Sequence, residues 1–256
     1  VSRVLWVKFK LGLFENPYAN VEHASIVRNC REHRELAKKA AAESIVLLKN
    51  EGGLLPLSKQ VKSVAVIGPN ADKCQLGNYS GSGVKTVSIL EGIKNKISEE
   101  TALYSAEGCG IFDLSRDGID EAVDAAQKAK VAVLVVGESV EVCEEGVDQS
   151  DLELPGVQMK LVKAVYETKT PTVVVLVNGR PLSIKWIADN VPAILETWFS
   201  GEEQGNAVAD ILFGDVNPSG KLTVSLPQSV GHIPSFYNCK PSGRGYYRKP
   251  GKPGKP

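Results

Sequence analysis

Residues 131–136 read VAVLVV, six apolar residues of which four are Val, and Gly137 closes the run. A strand without a polar face cannot border water on either side, so it belongs in the interior of a sheet covered by helices on both faces. Around it, strand-like and helix-like stretches alternate. Strands are expected at 64–67, 102–105, 172–177, 193–198 and 222–226. Helices are expected at 32–49, 86–97, 119–129, 157–167, 182–189 and 203–213. This alternation predicts an α/β fold: a six-stranded, mostly parallel sheet sandwiched by helices.

The loop after the 131–136 strand is unusually acidic. It carries Glu138, Glu141, Glu144, Glu145, Asp148, Asp151 and Glu153, with no Lys or Arg between residues 138 and 153. The carboxyl end of a buried strand is where open α/β sheets bind ligands. Crowded carboxylates repel one another, so at least one should hold its proton to a higher pH than a free side chain would. A carboxylic acid still protonated near neutrality can serve as a general acid. Two other readings stand beside this one: a merely solvated acidic loop, and an oxygen cage for Ca²⁺.

Composition narrows the function classes. The 30 basic and 30 acidic residues among 256 cancel, which removes any global pull toward nucleic acid or an anionic membrane. No stretch approaches the roughly 20 uninterrupted apolar residues of a membrane span. Five scattered cysteines without a C-x-x-C pair argue against zinc and redox motifs. Three histidines leave few parts for a His-based mechanism, and His33 and His232 read as structural. The loop GPNADKCQLGNYSGSG (68–83) is Gly-rich but contains neither G-x-G-x-x-G nor a P-loop. No cofactor and no metal are therefore expected.

The segments EGVD (145–148) and LELPG (152–156) resemble the E-G-x-D-R … L-x-L-P-G stretch in the second domain of glycoside hydrolase family 3, the β-glucosidases and β-xylosidases. HRELAKKAAAESIVLLKNEGGLLPL, IGPNA … GNYSG and WFSGEE … ADILFGDVNPSGKL are similar to further segments of that family. The chain departs from the pattern with Gln149 where Arg is common, and with Val147 at a variable position. The resemblance implies a six-stranded α/β sandwich and makes Glu145 the general acid/base. Glu144 and Glu138 are held in reserve because the loop varies in length. It also implies substrate contacts from Asn78, Tyr79, Ser80 and Asp148, against the alternative that the 68–83 loop is simply a Gly-rich turn. Arg180, at the end of the 172–177 strand, is read as a structural salt bridge first, then as an anchor for the acidic loop or a substrate contact.

The resemblance implies a retaining β-glycosidase acting on β-linked gluco- or xylo-oligosaccharides, with its nucleophilic Asp on an N-terminal (β/α)₈ barrel. No segment here resembles the one that carries that Asp, so the chain alone is expected to be an inactive half-site. Residues 1–20 are similar to the family's exit from the barrel. The expected organisation is therefore 1–31 as barrel end and linker, 32–240 as the sandwich, and 241–256 as a Gly/Pro/Lys loop at which the chain stops early. Family resemblance leans toward a periplasmic or secreted location. The competing reading is a non-catalytic carbohydrate-binding or structural module derived from such an enzyme.

Overall fold

The computed structural model describes residues 1–81 and 83–236; the expected loop at 241–256 and Cys239 lie outside the described residues. The chain divides into two units, Val1–Leu36 and the residues from Ala37 onward. In the first, α1 (Ser2–Lys10) and α2 (Val21–Val27) are both short. The apolar residues of α1 are exposed, Trp6 to 63% and Phe9 to 61%. The Phe9 ring instead packs on Phe14, centroids 4.6 Å apart. The segment expected as barrel end and linker, residues 1–31, contains α2. Asn20 starts it, its Oδ1 accepting from the His23 N–H at 2.8 Å, which satisfies one of the donors a helix start leaves open.

The division between units falls within α3 (Arg31–Ser44), and β1 (Val46–Asn50) follows directly. A helix through residue 49 was expected, since Ile45 and Leu48 continue the apolar spacing. Tertiary pairing overrides that propensity: β1 lies antiparallel to the last strand, Val46 opposite Glu196 and Leu47 opposite Leu195. The remaining elements are β2 (Ser63–Ile67), α4 (Ile89–Lys96), β3 (Ala102–Ala106), α5 (Ile119–Lys128), β4 (Val131–Gly137), α6 (Gln158–Glu167), β5 (Thr172–Val177), α7 (Lys185–Asn190), β6 (Ala193–Glu196) and α8 (Gln204–Leu212).

The sheet has six strands in the order β1-β6-β5-β4-β2-β3, parallel throughout except for β1. The architecture is thus the expected one, although one strand differs. Residues 222–226 are not a strand, because β1 already occupies the edge of β6. They run exposed or half-buried instead.

Period-two alternation sends neighbouring residues of one strand into different cores. Val131, Val133 and Val135 of β4 and Val173, Val175 and Val177 of β5 pack with Ala41, Ile89, Ile93 and Leu212 from α3, α4 and α8. Ala132, Leu134 and Val136, with Val174 and Leu176, pack with Ala122, Leu161 and Ile187 from α5, α6 and α7. Every one of those strand residues is at most 3% exposed, so both faces must be apolar, which is why these strands read as unbroken Val/Leu runs. On the first face Asp210 of α8 receives Lys38 of α3 and Lys96 of α4, joining three helices through one buried carboxylate.

Candidate functional site

From β2 the chain moves to β3 on one side and then to β4 on the other. The crevice beyond the carboxyl ends of β2 and β4 is therefore the point at which strand order reverses, where open α/β sheets place ligands. The two loops that leave it are 68–83 and 138–153, the two singled out by sequence.

Each loop departs through a glycine. Gly68 has φ +123, and a Cβ there would lie 2.0 Å from the Val135 carbonyl oxygen. Gly137 has φ +143, and its Cβ would lie 1.9 Å from that of Val177. Both loops thus turn by passing their backbone directly over the neighbouring strand, which a side chain would block.

Asn70, fully buried, links the loops at their base: its Nδ2 donates to the Glu138 carbonyl at 3.2 Å, and its Oδ1 accepts from Gln75 at 2.9 Å. They meet again at their tips, where the Tyr79 hydroxyl donates to Oε2 of Glu145. The pKa of Tyr79 is raised by that hydrogen bond first, then by burial and the charge of Glu144. Tyr79 is 85% exposed, and Glu145 also faces solvent. Asn78 and Asp148 are exposed and Glu144 is half-buried. Ser80 turns its hydroxyl inward onto its own loop, donating to the Leu76 and Gly77 carbonyls at 2.9 and 2.8 Å. Tyr79, Glu144 and Glu145 are therefore brought together.

The acidic loop contains one sheltered carboxylate. Glu138 is 4% exposed and pairs with Arg180 of the turn after β5, Nε to Oε1 at 3.1 Å. Burial raises its pKa, and the Arg180 charge and hydrogen bond oppose that rise. The proton-retaining tendency expected from crowded acids arises here from desolvation. Among the described residues no group of three or more His, Cys, Asp or Glu side chains is placed to hold a metal ion. A cavity of about 410 Å³ opens at the ends of β2 and β3, lined by Gly68, Asp72, Lys73 and Glu107 among others; none of the candidate residues lines it.

Sequence reasoning missed Glu196. It ends β6 fully buried, accepting from Asn178 Nδ2 at 3.2 Å and from the Trp198 N–H at 3.1 Å. A charged residue inside the apolar run AILETW was the available signal. Burial pushes its pKa up to about 8, with Glu138 adding to the rise and the hydrogen bonds opposing it. The folded protein therefore holds a proton that the unfolded chain releases near pH 4.5. The associated stability is full below that pH and is lost as pH rises toward 8. Denaturant unfolding from pH 5 to 8.5 is expected to show stability falling with pH, and Glu196→Gln, which fixes the neutral form, is expected to flatten the profile. An unchanged slope in that variant means that another group titrates.

Residues 45–253 match the model of the Glycosyl hydrolase family 3 C-terminal domain. A β-xylosidase of Formosa agariphila is 47% identical over 96% of this chain and 36% of its own length. A periplasmic β-glucosidase of Salmonella typhimurium is 41% identical over 98% of this chain and likewise 36% of its own. Among solved structures, a β-glucosidase of Erythrobacter marinus superimposes with a TM-score of 0.87 at 40% identity, covering 95% of this chain and 36% of that one. The chain thus spans about a third of the length of these relatives.

Proposed function

This chain belongs to glycosyl hydrolase family 3, whose C-terminal domain it contains, and from that membership we propose that it supplies the acid/base carboxyl of a retaining β-glycosidase. Glu145 is that group. The nucleophilic Asp comes from a (β/α)₈ barrel of the same protein, and the substrates are β-linked glucosides or xylosides, the classes named for its relatives. Retention requires two carboxyl groups about 5 to 5.5 Å apart, one attacking the anomeric carbon while the other protonates the departing oxygen. The acid then returns as a base, taking a proton from the water that cleaves the glycosyl-enzyme.

The observation that carries this reading is the placement of Glu145. Of the acids in its loop, it is the one held by an aromatic hydroxyl from the opposite wall of the switch-point crevice. Its side chain is exposed in the loop that leaves the carboxyl end of β4, as a group must be if it is to serve a site completed by a second domain. Tyr79, exposed beside it, offers a flat apolar face and a polar edge, the combination that suits a sugar ring beyond the scissile bond. Asn78 and Asp148 add polar groups on the same two loops.

Chemical rescue tests the role. In the two-domain polypeptide carrying Glu145→Ala, azide needs no base to attack the glycosyl-enzyme. Added azide is therefore expected to restore turnover and to yield the β-glycosyl azide, with the substrate's configuration retained. Wild type is expected to form none. If the Ala variant forms no azide adduct while Glu144→Ala does, the acid/base is Glu144. If neither variant loses turnover, and loss of Tyr79 weakens sugar binding, the domain is a carbohydrate-binding module.

A further inference from the structure

We propose that Arg180 is a positioning residue for Glu145: it clamps the start of the 138–145 segment onto the turn after β5 and so fixes where the Glu145 carboxyl stands. The proposal rests on the reading of Glu145 as the acid/base.

Glu145 cannot hold its own place. Among the described residues its hydrogen-bond partner is an 85%-exposed tyrosine, and a contact between two solvated side chains is too weak to fix a loop. The restraint must come from the more sheltered residues of the loop, and two of these, one buried and one half-buried, meet the same turn. Glu138, seven residues earlier, pairs with Arg180 at 3.1 and 3.3 Å to its two oxygens, with side-chain exposures of 17% for Arg180 and 5% for Glu138. Cys143, two residues before Glu145, lies against the same turn. A Cβ on Gly179 would be 2.4 Å from its Sγ, so the thiol sits directly against the backbone of that turn.

The span between these anchors leaves little slack. Residues Val140–Val142 form a single 3₁₀ turn, closed by Cys143 N–H to the Val140 carbonyl at 3.1 Å. The turn beneath is itself fixed, because Asn178 Nδ2 donates to the Arg180 carbonyl at 2.9 Å and to Glu196 at 3.2 Å. Position therefore passes from the end of β5 through the turn at Arg180 to Glu138 and Cys143, and on to Glu145. Removing the guanidinium leaves Glu138 buried without its cation, and a carboxyl in that state takes up a proton or relaxes toward water, in either case losing the ion pair that holds the loop start. The loop would move with it, and displacement of a catalytic group by about 1 Å can cost as much as 10²-fold.

The test compares kcat/KM, which reports the glycosylation step, for a disaccharide and for a dinitrophenyl glycoside whose leaving group needs no proton. The two-domain enzyme is measured as wild type, Glu145→Ala, Arg180→Met, Arg180→Lys and the double variant Glu145→Ala/Arg180→Met. Arg180→Met is expected to lose roughly 10- to 10²-fold on the disaccharide and little on the dinitrophenyl glycoside. Arg180→Lys, which keeps the charge but not the planar fork, is expected to lie between. In the double variant the Arg180 change is expected to add almost nothing, since the group it positions is gone.

Equal losses on both glycosides, or full multiplication of the two effects in the double variant, make Arg180 merely structural and overturn the proposal. Should Arg180→Met fail to fold, Arg180→Lys decides by the same contrast. If Glu145→Ala itself shows no leaving-group contrast, the acid/base reading falls first and the proposal falls with it.

Discussion

Glu145→Ala in the two-domain enzyme is expected to lower kcat/KM on a disaccharide by about 10²- to 10⁴-fold, or about 3 to 5 kcal/mol of transition-state stabilisation. A sugar alkoxide is a poor leaving group and must be protonated as it departs, so the loss is felt in full. Dinitrophenolate leaves without a proton, and its glycoside is expected to lose far less. The fold should not change. Glu145 stands on an exposed loop and Gly146 beside it has nothing within 4 Å of its added Cβ, so thermal unfolding of the variant is expected to match wild type. Glu144→Ala is the control for position, with less than about threefold effect on either substrate if the assignment is right. A drop of equal size on both glycosides would assign Glu145 to the structure of the loop and remove it from the chemistry.

The second large effect concerns stability. Gly137→Ala is expected to destabilise the chain by on the order of 3 to 5 kcal/mol, a large part of the 5 to 15 kcal/mol typical of a folded domain. Two independent costs combine there. The backbone is held at φ +143, which an L side chain rarely adopts, and the new Cβ would sit 1.9 Å from the Val177 carbonyl oxygen. That oxygen accepts the Glu138 N–H at 2.8 Å, so moving aside would break the bond that begins the acidic loop. Gly146→Ala separates the two costs: φ is +79, with open space around the added methyl, and about 1 to 2 kcal/mol of backbone strain alone is expected. Equilibrium denaturation of both variants checks the difference. Equal, small losses would mean that the approach of Gly137 to the Val177 backbone is not tight.

Fold and site differ in how far they could be read from residues. The apolar runs at 131–136 and 172–177 announced a doubly covered sheet, and the structure buries both completely. Residues 45–50 misled because an apolar stretch following a strong helix reads as its continuation. Only the empty edge of β6 makes Val46–Asn50 a strand, and its occupation leaves residues 222–226 without a place in the sheet. At the site, the loop carrying Glu145 was legible as an acidic segment closing a buried strand. Its partner Tyr79 was legible only as one of several polar residues in a Gly-rich loop, and their hydrogen bond spans 66 positions.

The sequence by itself determined the layers, because burial on two faces is written locally as uninterrupted Val and Leu, and it determined which loop carries the acids. Tertiary structure alone decided which acid is sheltered and which is presented. Glu138 and Glu145 are both glutamates of one loop. The former is drawn under Arg180, 42 residues away, and desolvated, while the latter is left at the mouth beside Tyr79. Glu196 gains its raised pKa in the same way, from walls supplied by residues distant in the chain. Desolvation and ion pairing depend on what surrounds a side chain in space, and a one-dimensional pattern carries that information only where neighbours in sequence are also neighbours in the fold.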